Sequence, residues 1–544
     1  FPEGRLTPTG TMMQIFDGAA AIAEAADAKV LPIYIKNLNH LPIGTYGLRH
    51  HPRTMFADIS VTVLPARTLD TADTGTAKER RQVRLKSLER IMQQMPVEAI
   101  DPRRTLMQDL HKTVRHFGRK RITLEDAQYN KFTYGKVLTA AHALGAALAK
   151  HTTEKENVGL MLPSTPAAAI SFWALQSQAR VPAMLNFSAD APTLVSCANT
   201  ASLKTVVTAR AFVELGKLED KIKALEEAGL KIVYLEDIKN EIGTLAKIKA
   251  VAASRGIGRK PAGLDSKKAD GSHPAVILFT SGSEGVPKGV VLSHNNIRSN
   301  IEQVDVLSPI GPGDKVFNAL PAFHAFGLGG GIIMPMLLGI PSCQFPSPLE
   351  SKAIPKVIYM SDATVMFATD TFLRLYAKGT DSDADMARLR LVFAGAEALT
   401  AETAQTYIDR FGVKIYEGYG MTEASPVVAI NVPGANTPGT VGKLLPGMEQ
   451  RLLPVDEMPD AYRLQIRGPN IMVGYLYADQ PGVIVPPADG WHDTGDIVRL
   501  AANGALQLAG RAKRFAKIGG EMVSLDAIET LARSASPQAE QAVV

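Results

Sequence analysis

Apolar and polar positions along the chain follow two periods. Short runs that are apolar throughout, bounded by turn formers, read as buried strands at 158–162, 181–186, 206–207, 232–235, 275–279 and 392–394. Between them the apolar positions fall at helical spacing. Leu138, Ala141, Leu144 and Leu148 mark an amphipathic helix fed by a strand end at 132–134, and 167–179 mark another helix. From Thr105 onward the two patterns alternate, which predicts an α/β architecture. Residues 236–272, rich in Lys and Gly, predict a surface connection, residues 439–448 open a strand-rich section, and 525–529 begin a helix.

Ahead of Thr105, residues 30–35 (with Pro32) and 58–63 predict two short strands. Val83, Leu85, Leu88, Ile91, Met92 and Met95 then take helical spacing, and Lys78, Arg80, Arg81, Arg84, Lys86 and Arg90 make that helix basic. Such a helix either lies on an anionic membrane surface or closes the preceding domain by packing on its sheet. Packing is the commoner use. Pro96 and Pro102 bracket the expected linker. Residues 316–349 form the best candidate membrane span, but prolines at 321, 335 and 341 and a run of glycines interrupt it. A spanning helix needs about 20 continuous apolar residues, so a buried core segment is expected instead.

A chain of 544 residues exceeds one simple domain, and 46% apolar with 21% charged residues is ordinary for a globular protein. A net charge of +5 is small for this length and gives no indication of nucleic acid as partner. Two cysteines, Cys197 and Cys343, exclude a disulfide framework or a cysteine-based zinc site and fit a reducing compartment. The chain opens on Phe1 rather than Met, so a fragment is expected and targeting cannot be judged.

Candidate chemistry begins at the end of the 275–279 run. Thr280, Ser281, Gly282, Ser283, Glu284, Gly285, Val286, Pro287 and Lys288 crowd hydroxyls, glycines and one lysine into a turn. Glycines let backbone N–H groups approach an anion, and Lys288 adds a point charge suited to phosphate. The common nucleotide P-loop is excluded, because Gly289 follows Lys288 where that motif needs Ser or Thr. The bland alternative is a Ser/Gly surface turn. Three further stretches carry chemistry: Glu417 to Glu423 through Tyr419, Gly420 and Thr422; Gly490 to Asp496 through Trp491 and His492; and Gly510 to Gly520 through Arg511 and Lys513. A hard cation wants carboxylate and phosphate oxygens, an aromatic face suits a purine, and a carboxylate is the natural acceptor for two vicinal hydroxyls. The bland readings are turns with incidental acidic residues.

Together these stretches resemble the motifs of the adenylate-forming superfamily, with Glu284 standing where that family usually has Thr. The run from about Thr105 to Glu529 more closely resembles the synthetase half of the bifunctional 2-acylglycerophosphoethanolamine acyltransferases/acyl-ACP synthetases. By that resemblance Thr280, Ser281, Gly282, Ser283, Gly285 and Lys288 bind the phosphates of ATP. Gly395, Ala396 and Glu397 face the adenine, Tyr419 stacks on it with Gly420 beside it in the nucleotide site, Thr422 meets the α-phosphate and Glu423 holds Mg2+. Asp496 takes both ribose hydroxyls, Arg511 the ribose or a phosphate, and Lys513 is the hinge of a small C-terminal domain. His324 is expected near the substrate carboxylate, with 327–338 along an apolar cavity, although a lone His is more often structural. Lys513, Arg514 and Lys517 could also meet an acidic carrier protein, or simply be solvated.

Phe1 to Arg5 resembles a motif of glycerolipid acyltransferases in which Glu3, Gly4 and Arg5 would bind the phosphate-bearing acceptor. That family's catalytic His has an Asp five positions later. None of the 11 histidines here does, the nearest being His151 with Glu156. No acyltransferase activity is therefore expected from these residues alone. Nor does any segment after Glu529 supply the family's C-terminal lysine, so the chain is expected to bind nucleotide and acyl adenylate better than it turns over.

The expected fold class is α/β: a multi-layer, acyl-CoA synthetase-like adenylation domain, preceded by a partial α/β acyltransferase domain. The divisions are 1–96 acyltransferase half, 97–104 linker, 105–510 adenylation domain and 511–544 hinge with the start of the C-terminal subdomain. The expected function is ATP- and Mg2+-dependent activation of a long-chain fatty acid and transfer to acyl carrier protein. In the full protein this would be coupled to reacylation of a lysophospholipid, lysophosphatidylethanolamine. The expected place is the cytoplasmic face of the bacterial inner membrane. The alternatives are a long-chain fatty acyl-CoA ligase and, outside catalysis, a module that binds acyl adenylate or nucleotide.

Overall fold

The computed structural model describes residues 3, 12, 14–37, 58–72, 74–265, 267–268, 270–281, 286–456, 458–511, 515–518 and 521–524. Its frame is a pair of large sheets. One has eight strands in the spatial order Gln480–Val485, Gly474–Tyr477, Pro287–Ser293, Pro274–Ser281, Val181–Met184, Asn157–Leu160, Thr205–Thr208 and Lys231–Tyr234. The last five are parallel, and the first four pair antiparallel. The other has nine, in the order Lys443–Leu444, Val427–Ile430, Ile415–Gly420, Leu391–Ala394, Val365–Ala368, Val316–Asn318, Ser342–Gln344, Ile122–Glu125 and Lys131–Thr133. A four-stranded antiparallel sheet, Glu449–Pro454, Tyr462–Arg467, His492–Leu500 and Leu506–Arg511, follows them.

The central strands are apolar throughout because both of their faces are covered. Leu391 and Phe393 point into one core, while Val392 and Ala394 point into another. Helices Leu106–Phe117, Tyr134–Leu148, Pro166–Ser177 and His294–Leu307 bring their apolar faces to the first core, which joins the two large sheets. Leu106, Leu110 and Val114, at i, i+4 and i+8 of one helix, are 0–4% exposed. Truncating a side chain like Leu110 to Ala costs about 2–5 kcal/mol. Helices Ala353–Met360, Asp370–Gly379 and Ala401–Phe411 cover the far face of the nine-stranded sheet, and Ala191–Thr200 with Glu219–Glu227 the far face of the eight-stranded one. The result is five layers, helix and sheet in alternation.

At the N-terminal end, helix Gly18–Ala25, the antiparallel ribbon Ile33–Lys36/Ser60–Val63 and helix Ala77–Glu98 share a small core of Ile15, Ala20, Leu69, Leu88 and Ile91. The basic helix thus packs rather than standing free. Arg84 pairs with Asp17 at 2.6 Å and also with Glu24, while Lys78, Arg80, Arg81, Lys86 and Arg90 stay exposed. Lys36 pairs with Glu302 and Lys112 with Asp58 at 3.0 Å, so the ribbon is tied to the large sheets' helices.

Two sequence expectations change. Residues 236–272 are not a plain surface connection: they contain most of helix Leu235–Glu241 and all of helix Thr244–Ser254. The second helix packs through Ala250 and Ser254, whose small side chains carry little periodic signal, and Arg119 donates to the Ser254 carbonyl at 2.7 Å. Pro96 does not end an element, because helix Ala77–Glu98 runs on past it. A proline in the last turn removes only one donor there. The expected linker is fixed, with Arg298 donating to the carbonyls of Asp101 at 2.7 Å and Arg104 at 3.1 Å. Residues 316–349 break into the strand Val316–Asn318, short helical turns between 325 and 338 and the strand Ser342–Gln344. No helix among the described residues is long and apolar enough to cross a membrane. The helix expected at 525–529 lies outside the described residues.

Candidate active site

Parallel strands end together on one edge of an α/β sheet, and ligands bind where those ends open. Here a cavity of about 1680 Å³ opens at the carboxyl ends of strands from both large sheets. Thr280, Phe367 and Ala394 lie at or next to the ends of three strands, and Gly420 ends a fourth. Trp491, Thr494 and Arg511 of the four-stranded sheet and its edge close the cavity from the other side.

Lys288 faces Thr280 across the antiparallel pair that flanks residues 282–285. Both line the cavity. The Lys288 ammonium lies 5.3 Å from the ring centroids of Tyr475 and Tyr477, within cation–π range of each. Thr422 and Glu423 enter from a 3-10 turn after Ile415–Gly420, and the Tyr475 hydroxyl donates to Glu423 Oε1 at 2.6 Å. His492 packs edge-on against Tyr475 at 6.3 Å. Burial holds its imidazole below the ordinary histidine pKa, against the opposing pull of Glu423, Asp493 and Asp496. This end of the cavity gathers cationic and hydroxyl groups suited to a polyphosphate.

Beside it, the Tyr419 hydroxyl donates to Asp496. Both are 7% exposed. Burial pushes the Asp496 carboxyl above the usual range, and the neighbouring carboxylate raises Tyr419 further after burial has done most. Arg511 Nε lies 3.4 Å from Asp496 Oδ1. Tyr419, Gly420, Thr494, Gly495 and Arg511 form the wall, with Asp496 behind Tyr419. Gly395, Ala396 and Glu397 complete that wall after strand Leu391–Ala394. Ala396 takes φ +69°, and Glu397 Oε2 accepts from the Thr371 N–H at 2.9 Å, which fixes the turn.

The opposite lobe is apolar. Ile297, Ile301 and Val304 supply one stripe of helix His294–Leu307, and Phe326, Met334 and Phe367 face it. Gly329 and Gly330 line the lobe from a π-helical turn. His324 opens into the cavity beside Phe323, at 4.6 Å between ring centroids, and desolvation by the walls lowers its pKa.

A family model described as AMP-binding enzyme matches residues 110–476. The chain belongs to the AMP-binding enzyme family. It is an enzyme of the ligase class that uses ATP to form an acyl adenylate. Among curated relatives, the Bacillus subtilis long-chain-fatty-acid–CoA ligase is 27% identical over 453 residues, 78% of this chain and 80% of that protein. The Arabidopsis thaliana 4-coumarate–CoA ligase 1 is 24% identical over 440 residues, 78% of this chain and 77% of that one. The Salmonella typhimurium long-chain-fatty-acid–CoA ligase is 29% identical, but over 50% of each. Among solved structures, the anthranilate CoA ligase AuaEII with anthranoyl-AMP covers 80% of this chain and 82% of its own, with TM-score 0.67 and 20% identity. ATP-bound MatB from Rhodopseudomonas palustris superposes with TM-score 0.66 over 79% of this chain and 83% of its own, at 22% identity. Both share the fold.

Thr280, Lys288, His324, Gly395, Ala396, Glu397, Tyr419, Gly420, Thr422, Glu423 and Arg511 all line one cavity. Asp496 reaches the site but commits one oxygen to Tyr419 rather than to the open cavity. Gly282, Ser283, Gly285, Lys513, Gly4 and Arg5 lie outside the described residues, as does the Ser281 side chain; Glu3 is not among the cavity-lining residues. Tyr475, Tyr477 and the Arg463–Asp493 pair were missed. Alternation in 474–477 marks a strand, but only the sheet pairing tells which lysine it meets. As for Mg2+, no cluster of three or more His, Cys, Asp or Glu exists among the described residues. Glu423 alone fits a cation held jointly with ligand phosphates rather than a resident ion.

Proposed function

We propose that the chain activates a long-chain fatty acid as its acyl adenylate and passes the acyl group to the phosphopantetheine thiol of an acyl carrier protein. One observation carries the fatty-acid part: the cationic end around Lys288 and the aliphatic stripe Ile297, Ile301 and Val304 belong to the same cavity. Each methylene buried there is worth about 0.8 kcal/mol, so an extended alkyl chain gains where a short acid cannot. In this reading Lys288 offsets the phosphate charge and the Thr422 hydroxyl donates a hydrogen bond to the α-phosphate as the carboxylate attacks the α-phosphorus and pyrophosphate leaves, and His324 orients the carboxylate at the junction of the lobes. Mg2+ held by Glu423 and the phosphates would supply further charge neutralisation.

The Glu3-Gly4-Arg5 motif ahead of the adenylating domain supports the carrier protein as thiol donor and a lysophospholipid as final acceptor in the full protein. On that reading the enzyme works at the cytoplasmic face of the bacterial inner membrane, where the exposed Lys78, Arg80, Arg81 and Lys86 meet anionic headgroups. A second reading, a long-chain acyl-CoA ligase, is favoured by the Bacillus subtilis relative. Calorimetric titration with non-hydrolysable acetyl, benzoyl and palmitoyl adenylate analogues tests the acid. Preference for the palmitoyl form is expected, and equal or tighter binding of the benzoyl form would overturn the fatty-acid reading. Side-by-side thioester assays with carrier protein and CoA then separate the two acceptors.

A further inference from the structure

A lysine that serves an anionic ligand must be held in place without being neutralised. Among the described residues no carboxylate pairs with Lys288, although Glu423 lies in the same cavity. Its surroundings are aromatic instead. Gly289 faces Leu476 and Val290 faces Tyr475 across the antiparallel strands, so Lys288, Tyr475 and Tyr477 project from the same side of the sheet. The ammonium lies 5.3 Å from both ring centroids. Ring faces attract a cation while leaving its three N–H donors available. The same Tyr475 directs its hydroxyl to Glu423 Oε1 at 2.6 Å, which fixes the ring and occupies the carboxylate oxygen.

We propose that Tyr475 and Tyr477 are positioning residues that cradle the Lys288 ammonium for the phosphates of ATP, and that Tyr475 also keeps Glu423 from closing an ion pair with it. Tyr475 meets the site's cation with its ring and its anion with its hydroxyl. Without the ring, Lys288 and Glu423 would be free to neutralise each other before ATP arrives. This deepens the ATP-binding reading and rests on Lys288 as a phosphate ligand.

The test is a double-mutant cycle on the 544-residue chain. Calorimetry with α,β-methylene-ATP and Mg2+ measures affinity for the wild type, Tyr475→Leu, Tyr475→Phe, Tyr477→Leu, Lys288→Met and Lys288→Met with Tyr475→Leu. Tyr475→Leu is expected to weaken binding about tenfold, with Tyr475→Phe between it and the wild type. In the Lys288→Met background the same Leu substitution is expected to cost less than about twofold, because the partner it positions is gone. Equal losses in both backgrounds would overturn the cradle, since Tyr475 would then act without Lys288. Unchanged affinity in Lys288→Met alone would overturn the phosphate-ligand reading and the cradle with it. Binding of the palmitoyl adenylate analogue checks that Tyr475→Leu folds. If it does not, Tyr477→Leu takes its place in the cycle, with the same two outcomes.

Discussion

Asp496 is buried, hydrogen-bonded by Tyr419 and approached by Arg511, so its carboxylate holds that wall of the cavity in shape whether or not a ligand is present. Asp496→Ala leaves the Tyr419 hydroxyl without its acceptor in a buried setting. Losing a hydrogen bond to a charged group costs about 1.5–3 kcal/mol, so binding of an acyl adenylate analogue should weaken about ten- to hundredfold by calorimetry. Asp305 makes a different residue-scale prediction. Burial and the adjacent Glu302 push its carboxyl up to about 7, while Lys36 opposes them. The folded state therefore holds a proton that the unfolded chain releases near pH 4, and this contribution is lost as pH rises from about 4 through 7. Denaturant unfolding should show stability falling by up to about 4 kcal/mol across that window from this group, and Asp305→Asn should flatten the fall.

Helix His294–Leu307 is the element on which the site and the N-terminal segment both depend. Ser293 and Asn296 cap its start reciprocally, with the Asn296 N–H donating to Ser293 Oγ at 3.1 Å and the Ser293 N–H to Asn296 Oδ1 at 2.9 Å. One stripe of the helix lines the cavity through Ile297, Ile301 and Val304, and the next carries Arg298, Glu302 and Asp305 to Asp109 and Lys36. Ser293→Ala should cost about 1 kcal/mol of stability in denaturant unfolding. The π-helical turn Gly329–Ile333 makes room on the facing wall, where a Cβ at Gly330 would meet Phe367 at 3.4 Å. Gly330→Leu should fit the backbone and fill the lobe. Affinity for the palmitoyl adenylate analogue should drop about tenfold while that for the acetyl analogue changes little.

At the scale of the whole molecule, one ligand would bridge three sheets, since the cavity draws its walls from both large sheets and the four-stranded one. A palmitoyl adenylate analogue at a hundred times its dissociation constant should add about 2.7 kcal/mol to unfolding, seen as a raised melting temperature. Much of this architecture was legible in the sequence. Continuous apolar strands can be buried only in a sheet covered on both faces, so 275–279 and 392–394 declared an α/β fold, and the Gly-rich motifs after them declared the strand ends that carry chemistry. The helix Thr244–Ser254 was not legible, because alanines and a serine pack closely without a strong period. Nor was the hold of Tyr419 on Asp496, two residues 77 positions apart. Sequence by itself determined which residues bear charge, hydroxyl or ring and which local turn presents them, because those follow from short-range patterning and side-chain chemistry. Only the tertiary structure decided which of them meet. Strand pairing between 287–293 and 474–477 set Lys288 between two tyrosines, and the packing of helix 294–307 across the sheets joined a cationic end to an apolar one. Such meetings are long-range and depend on which distant strands and helices pair, which a local pattern does not specify.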